Sequence, residues 1–258
     1  MAMCQRQYRS VFSAAVAAFI IFFSASSASA FLFTEDADAG DSGELESETF
    51  AEVFPSDRFT LLNQEFNLGV ADGFEVGVFS GVGYDFDAGE VAIANPGVQA
   101  KMLVLEAGPE SMGPSVAIKA GGLAPWGVNG GELPAPAAFA VVPVSFDLGV
   151  AAVHAHGGWG FSDDADFEHR PLVGLAAEVG VSESLDLLVE GVNADPIEPT
   201  GPPLTFQGGV NVGVADGLEA WALGAVASDT ASGQTLFDEI EVGAQVGLRV
   251  ETRLFGEE

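Results

Sequence analysis

Beyond residue 30 this chain has no cysteine, two lysines, and no apolar run long enough to cross a membrane as a helix. Each absence removes a class of protein. An exported domain without cysteine cannot rest on disulfides. A chain this poor in bases offers no footprint for phosphate. The whole sequence carries 38 Asp and Glu against 8 Lys and Arg. Setting aside Arg6 and Arg9 with the first thirty residues leaves six bases, the same 38 acids and a net charge of −32. Nucleic acid is thereby excluded as a partner. With no spanning helix after residue 30, residence in a membrane has to be by strands.

What is present runs against that acidity. Hydrophobic residues make up 48% of the chain, and the mean hydropathy is +0.31. Apolar and acidic residues coexist at these levels when they are sorted in space, one set toward lipid and the other toward water. A saline habitat would account for the charge alone equally well.

The first thirty residues have the layout of an export signal. Arg6 and Arg9 precede the apolar stretch "VFSAAVAAFIIFF" at 11–23, and "SASSASA" ends in a small-x-small pattern at Ala28–Ala30. Cleavage is expected after Ala30. Cys4 lies before the apolar core, where a lipoprotein cysteine would not. Residues 31–43 are expected to form an acidic, solvated and mobile leader, and 44–258 the folded domain.

From about Arg58 to Leu254 the chain alternates with period two, as strands do. In 74–86, Phe74, Val76, Val78, Val82, Tyr84 and Phe86 share one face, and Glu75, Gly77, Gly81, Gly83 and Asp85 the other. In 240–250, Ile240, Val242, Ala244, Val246, Leu248 and Val250 oppose Glu241, Gly243, Gln245, Gly247 and Arg249. The second face is polar or tiny. Two stretches are near copies, "FNLGVADGFEVGVFSGV" at 66–82 and "VNVGVADGLEAWALGAV" at 210–226. Each reads as a tight Asp-Gly hairpin between two strands. Tight corners at 71–73, 108–114, 147–149, 182–184 and 215–217 alternate with long polar connections at 87–97, 124–136, 162–171, 193–203 and 228–238.

Short–long alternation is the pattern of a transmembrane up-and-down antiparallel β-barrel, with short periplasmic turns and long outer loops. Eleven alternating segments follow Arg58. Parity then requires one earlier strand, and "ELESETFAEVF" at 44–54 is the candidate, with Phe50, Glu52 and Phe54 on one face. The expected class is all-β, a barrel of about twelve strands, with ten as the alternative count. A soluble β-sandwich is the competing reading, and would bury the apolar faces.

Residues 44–255 resemble Gram-negative outer-membrane β-barrel proteins, including porin-like transporters grouped with aromatic-compound degradation pathways. The resemblance lies in pattern. It implies the cell outer membrane as location, and outer-membrane lipids, lipopolysaccharide and the outer-membrane assembly machinery as partners. Two features depart from it. Phe255 is followed by Gly-Glu-Glu rather than ending the chain, and tyrosine is scarce, leaving Tyr84, Trp126, Trp159 and Phe161 for an aromatic belt.

The phasing points Glu65, Glu75, Lys101, Lys119, Glu178, Glu190, Glu219, Glu241 and Arg249 inward. Opposed charges in a lumen filter solutes by sign; the same residues pairing and plugging the lumen is the competing reading. Acids outnumber bases, so an open pore should favour cations. His154 and His156, two apart on a strand, are the weak candidates for a metal, with His169 in an outer loop and no matched third ligand. No cofactor is implied. The outer loops carry Asp87, Glu90, Asp163, Asp164, Asp166, Glu168, Asp195, Glu198, Asp229 and Asp238. They form a solvated rim, or bind divalent cations or bridge to lipopolysaccharide through them. No G-x-S-x-G, H-E-x-x-H or P-loop occurs. A barrel-borne hydrolase would need Ser and His on the lipid face, with Ser145 and His154 the conceivable pair. The expected function is a non-enzymatic channel for passive diffusion of small solutes; the alternative is a closed barrel with a structural or surface role.

Overall fold

The computed structural model of the chain describes residues 34, 36–54, 59–87, 89–93, 96–107, 113–123, 137–162, 169–193, 204–228 and 240–255. The expected signal peptide lies outside them, as do Trp126, Asp163, Asp164, Asp166, Glu168, Asp195, Glu198, Asp229 and Asp238.

The strands are β1 (Glu44–Phe54), β2 (Phe59–Ala71), β3 (Phe74–Asp85), β4 (Glu90–Ile93), β5 (Gly97–Leu105), β6 (Pro114–Leu123), β7 (Ala137–Asp147), β8 (Ala151–Ser162), β9 (His169–Ser182), β10 (Leu185–Val192), β11 (Leu204–Ala215), β12 (Leu218–Ser228) and β13 (Ile240–Arg253). All pairings are antiparallel. β1 pairs with β2 on one side and with β13 on the other, from Glu44↔Arg253 to Val53↔Ala244, which closes the sheet on itself. β4 and β5 share one edge of β3, with Val82 opposite Ile93 and Phe79 opposite Gly97. They are two parts of a single spanning strand, and Pro96, which precedes β5, has no N–H to give the ladder. The result is a closed barrel of twelve spanning strands.

The alternation decides between membrane barrel and soluble sandwich. Val242 is 64% exposed, Leu175 60% and Val98 62%, while Glu48, Glu190 and Asn211 on the opposite faces are each 2% exposed. A water-soluble sandwich has the reverse arrangement. A wall with its hydrocarbon outside and its ionisable groups inside is built for lipid. Phe74, Val76 and Val212, which a second sheet would have covered, are all exposed. Tyr84, Trp159 and Phe161 are exposed near the long-loop end, and Tyr84 meets Phe86 edge-on at a centroid distance of 4.9 Å.

The twin hairpins are built alike. Gly73 (φ 72°) and Gly217 (φ 61°) close two-residue turns in the left-handed region that only glycine enters without a Cβ clash. The ladder skips a residue just before each, between Gly69 and Ala71 and between Gly213 and Ala215. The shared VADG stretch thus encodes a shared bulge as well as a shared turn.

Three expectations need correction. The connection assigned to 87–97 contains β4, because residues 90–93 continue the ladder of β3. His169 opens β9, opposite Phe161, rather than lying in a loop. The inner face is also more than polar or tiny. Phe50, Ala176, Leu188, Trp221 and Leu223 form one buried cluster, and Phe139, Val141 and Leu172 another. Glycine makes room for the rings. A Cβ on Gly247 would lie 2.4 Å from the Trp221 indole, and one on Gly97 would lie 2.0 Å from Phe79.

β1, the poorest strand by pattern, puts Ser47 and Thr49 on its outer face. Gln64 of β2 answers them. Its amide nitrogen donates to Ser47 Oγ at 3.1 Å and to the Glu48 carbonyl at 2.7 Å, and its amide oxygen accepts from Thr49. Polar groups facing lipid are thereby satisfied within the wall.

Candidate functional site in the barrel lumen

Inward side chains of neighbouring strands meet in rows set by the ladder register. One row crosses the closure seam: Glu65 on β2 is opposite Glu48 on β1, Glu48 is opposite Arg249 on β13, and Arg249 is opposite Glu219 on β12. Arg249 Nε lies 3.6 Å from Glu46 and Nη2 3.6 Å from Glu48. Glu48 also accepts the Trp221 indole N–H at 3.1 Å, and Glu219 accepts the Asn211 amide at 3.1 Å. Glu65 accepts Asn67 at 2.7 Å, and Gln99 donates to Asn67 at 3.0 Å. A second row places Glu75 on β3 opposite Lys101 on β5, and Lys101 opposite Lys119 on β6. Bases and acids share both rows rather than being gathered on opposite walls.

Further round, Ser145 of β7 is opposite His154 of β8. The Ser145 hydroxyl is 2.9 Å from His154 Nδ1, and His154 Nε2 is 3.9 Å from Glu178 of β9. The Ser–His contact entertained in the sequence exists, but on the lumen face and not on the lipid face. His154 and His156 are both buried on the inner face. Among the described residues no three His, Cys, Asp or Glu are grouped to hold a metal ion. The side chains of His169, Glu241 and Glu90 lie outside the described part; Asp87, at the rim, is exposed.

The lumen holds chain as well as side chains. Thr34, Asp36, Ala37 and Gly40, read from sequence as part of a solvated leader, lie inside the barrel. Thr34 donates through both its backbone N–H and its hydroxyl to Glu190 Oε1 of β10, the hydroxyl bond being 2.9 Å long. Glu190 Oε2 accepts Gln207 of β11 at 2.7 Å. Asp36 lies 3.0 Å from Lys101 Nζ, whose other acid, Glu75, is at 3.6 Å. The Ala37 N–H donates to Ser145 at 2.8 Å and the Gly40 N–H to Glu75 at 2.9 Å. Ala37 is fully buried. Hydrogen bonds of this kind contribute about 0.5–1.5 kcal/mol each, more when one partner is charged. Burial alone would push the Asp36 carboxyl up. Lys101, with the other cations of the lumen, outweighs that and holds it well below the usual carboxylate range.

Seven of the inward residues named from sequence are buried on the inner face: Glu65, Glu75, Lys101, Lys119, Glu190, Glu219 and Arg249; Glu178 shares that face and is half-buried. Sequence reasoning passed over Glu46 and Glu48. Continuing the parity of Phe50 and Glu52 down β1 would have found them. It also missed Asp36 as the partner of Lys101, for which no periodic signal exists.

No family model and no curated protein matches this chain. Solved structures do. The KdgM porin superposes with a TM-score of 0.53 at 8% identity over 80% of this chain and 98% of its own. The NanC porin gives 0.53 at 6% over 80% and 98%. An outer-membrane channel from Pseudomonas putida F1 gives 0.59 at 11% over 85% and 98%. At these identities the likeness is one of fold.

Proposed function

We propose that the protein is a porin-like channel of the Gram-negative outer membrane, through which small solutes diffuse passively and cations pass in preference to anions. The observation that carries the reading is the inverted wall: a closed barrel with Val242 and Leu175 outside and Glu48, Glu190 and Lys101 inside. Ionisable groups are expensive to enclose, and a lumen that admits water and ions is what makes them tolerable there. The fold is shared with two porins and a channel. Acids on the inner face, including Glu46, Glu48, Glu65, Glu75, Glu190, Glu219 and Glu251, outnumber the bases Lys101, Lys119, Arg170 and Arg249. A negative wall concentrates cations and raises the barrier to anions. In this orientation the short turns face the periplasm and the long loops the exterior. The test is the reversal potential of the purified protein in a planar bilayer under a potassium chloride gradient. Cation preference is expected, and anion preference overturns the charge assignment.

A closed barrel is the second reading, favoured by a specific observation: chain upstream of β1 lies across the lumen, and Phe50, Leu188 and Trp221 pack within it. The same conductance experiment separates the two.

A further inference from the structure

The segment from Thr34 to Ser42 runs from one side of the lumen to the other. It leaves the wall beside β2, where the Gly43 N–H donates to the Gly69 carbonyl at 2.8 Å. It passes Glu75 on β3, Lys101 on β5 and Ser145 on β7, and reaches Glu190 on β10. Its far end also approaches β9, since a Cβ on Gly174 would lie 2.5 Å from the Thr34 hydroxyl. A strap that touches β2 at one end and β9 and β10 at the other crosses most of the bore.

The two ends are held differently. At the base tight backbone contacts are joined by side-chain ones, Arg253 to the Asp41 carboxylate at 2.9 Å and the Ser42 N–H to Asp72 at 3.2 Å. The Leu254 N–H donates to the Gly43 carbonyl at 2.7 Å, and Gly43 has a φ of 83°. A Cβ there would lie 1.8 Å from the Phe255 carbonyl oxygen, and one on Gly69 would lie 1.9 Å from that of Asp41. Further in, Thr34, Asp36, Ala37 and Gly40 are held by side-chain groups of Glu190, Lys101, Ser145 and Glu75. Water replaces such partners readily, whereas the packed base has no equivalent exchange. The strap sequence "DADAGDS" at 36–42 carries no large apolar side chain, so leaving the lumen exposes little hydrocarbon. Asp38 is repelled by Asp36 and Glu106, Asp41 pairs with Arg253 at the base, and Lys101 is the nearest base to Asp36, at 3.0 Å.

We propose that Thr34 and residues 36–42 form a gate: a strap hinged at Gly43 and latched by Asp36 on Lys101, which obstructs the lumen when docked and admits solutes when it swings out. The proposal rests on the channel reading above and supplies what that reading needs, a way for a lumen crossed by its own chain to conduct. It also reassigns Lys101, from a selectivity group on the wall to the catch of the gate.

The full chain offers a reversible test, because the sequence has one cysteine, Cys4, within the expected signal peptide. Ala37→Cys with Ser145→Cys, in a Cys4→Ser background, places two thiols on neighbouring positions, the Ala37 amide and the Ser145 hydroxyl being 2.8 Å apart, and oxidation is verified by the loss of free thiol before recording. Heat-modifiable gel migration confirms folding before reconstitution in planar bilayers. The oxidised protein should be nearly silent, and reduction should raise the mean conductance roughly tenfold or more, as a gate locked shut regains its open population. Lys101→Glu, which cuts the latch without a disulfide, should conduct at the reduced level or above. Equal conductance before and after reduction overturns the gate and leaves the channel standing. Silence in both states and in Lys101→Glu overturns gate and channel together.

Discussion

The Trp221 indole of β12 lies across Gly247 of β13 and donates to Glu48 of β1, so one side chain ties three strands over the seam where the barrel closes. Only a glycine leaves room for it. Gly247→Val should therefore loosen closure by about 1–3 kcal/mol, the usual cost of overpacking. The temperature at which the folded band disappears on an unboiled gel should fall, while Gly157→Ala, where an added Cβ meets nothing within 4 Å, should move it far less.

Arg249 stands among Glu46, Glu48 and Glu219 with its own side chain 9% exposed. Arg249→Met leaves those carboxylates uncompensated and should cost about 3–5 kcal/mol in urea unfolding from lipid vesicles. Adding Glu48→Gln to the same chain should recover part of the loss. A double variant no better than Arg249→Met would mean that the pair does not stabilise the seam.

The outer face should refuse charge. Val78 on β3 is 53% exposed, and Val78→Arg should destabilise the barrel by about 2–4 kcal/mol if it faces the bilayer midplane. Val78→Leu should be nearly neutral in the same unfolding assay. Tolerance of arginine there would mean that this face does not meet lipid.

The latch should be insensitive to mild acid. Lys101 and the other cations of the lumen hold the docked Asp36 carboxyl well below its ordinary value of 3.8. Its contribution to docking is therefore complete above about pH 5 and is lost only as pH falls through the docked value. Asp36→Asn should raise conductance by the same factor at pH 7 and pH 5, each measured against the unmodified protein. A smaller factor at pH 5 would place Asp36 in the titrating range and contradict its pairing with Lys101.

Most of the wall was legible because lipid on one side and lumen on the other impose a period of two that few other environments demand. The twin VADG hairpins announced their turns through Asp72-Gly73 and Asp216-Gly217, and parity required β1 although its outer face carries Ser47 and Thr49. That strand read poorly because its compensation, Gln64, sits on the next strand, where no local window reaches. β4 was hidden by Asn95-Pro96, a turn signal that here marks an interruption in a continuing strand. The aromatic rings inside were obscured because Phe79, Phe139 and Trp221 occupy space left by Gly97, Gly121 and Gly247 on neighbouring strands. The strap was least legible. Acidic, glycine-bearing sequence is written for water, and composition cannot distinguish bulk solvent from the interior of a barrel with a lysine in it.

The reading of this barrel as a conduit stands or falls on ion flux through the purified protein. Potassium-loaded liposomes carrying Lys101→Glu, its folding verified by gel shift, should release their cation far faster than protein-free liposomes, and chloride more slowly than potassium. Retention of potassium at the protein-free rate, in this variant and in the unmodified protein alike, would show a barrel that is sealed and not a channel.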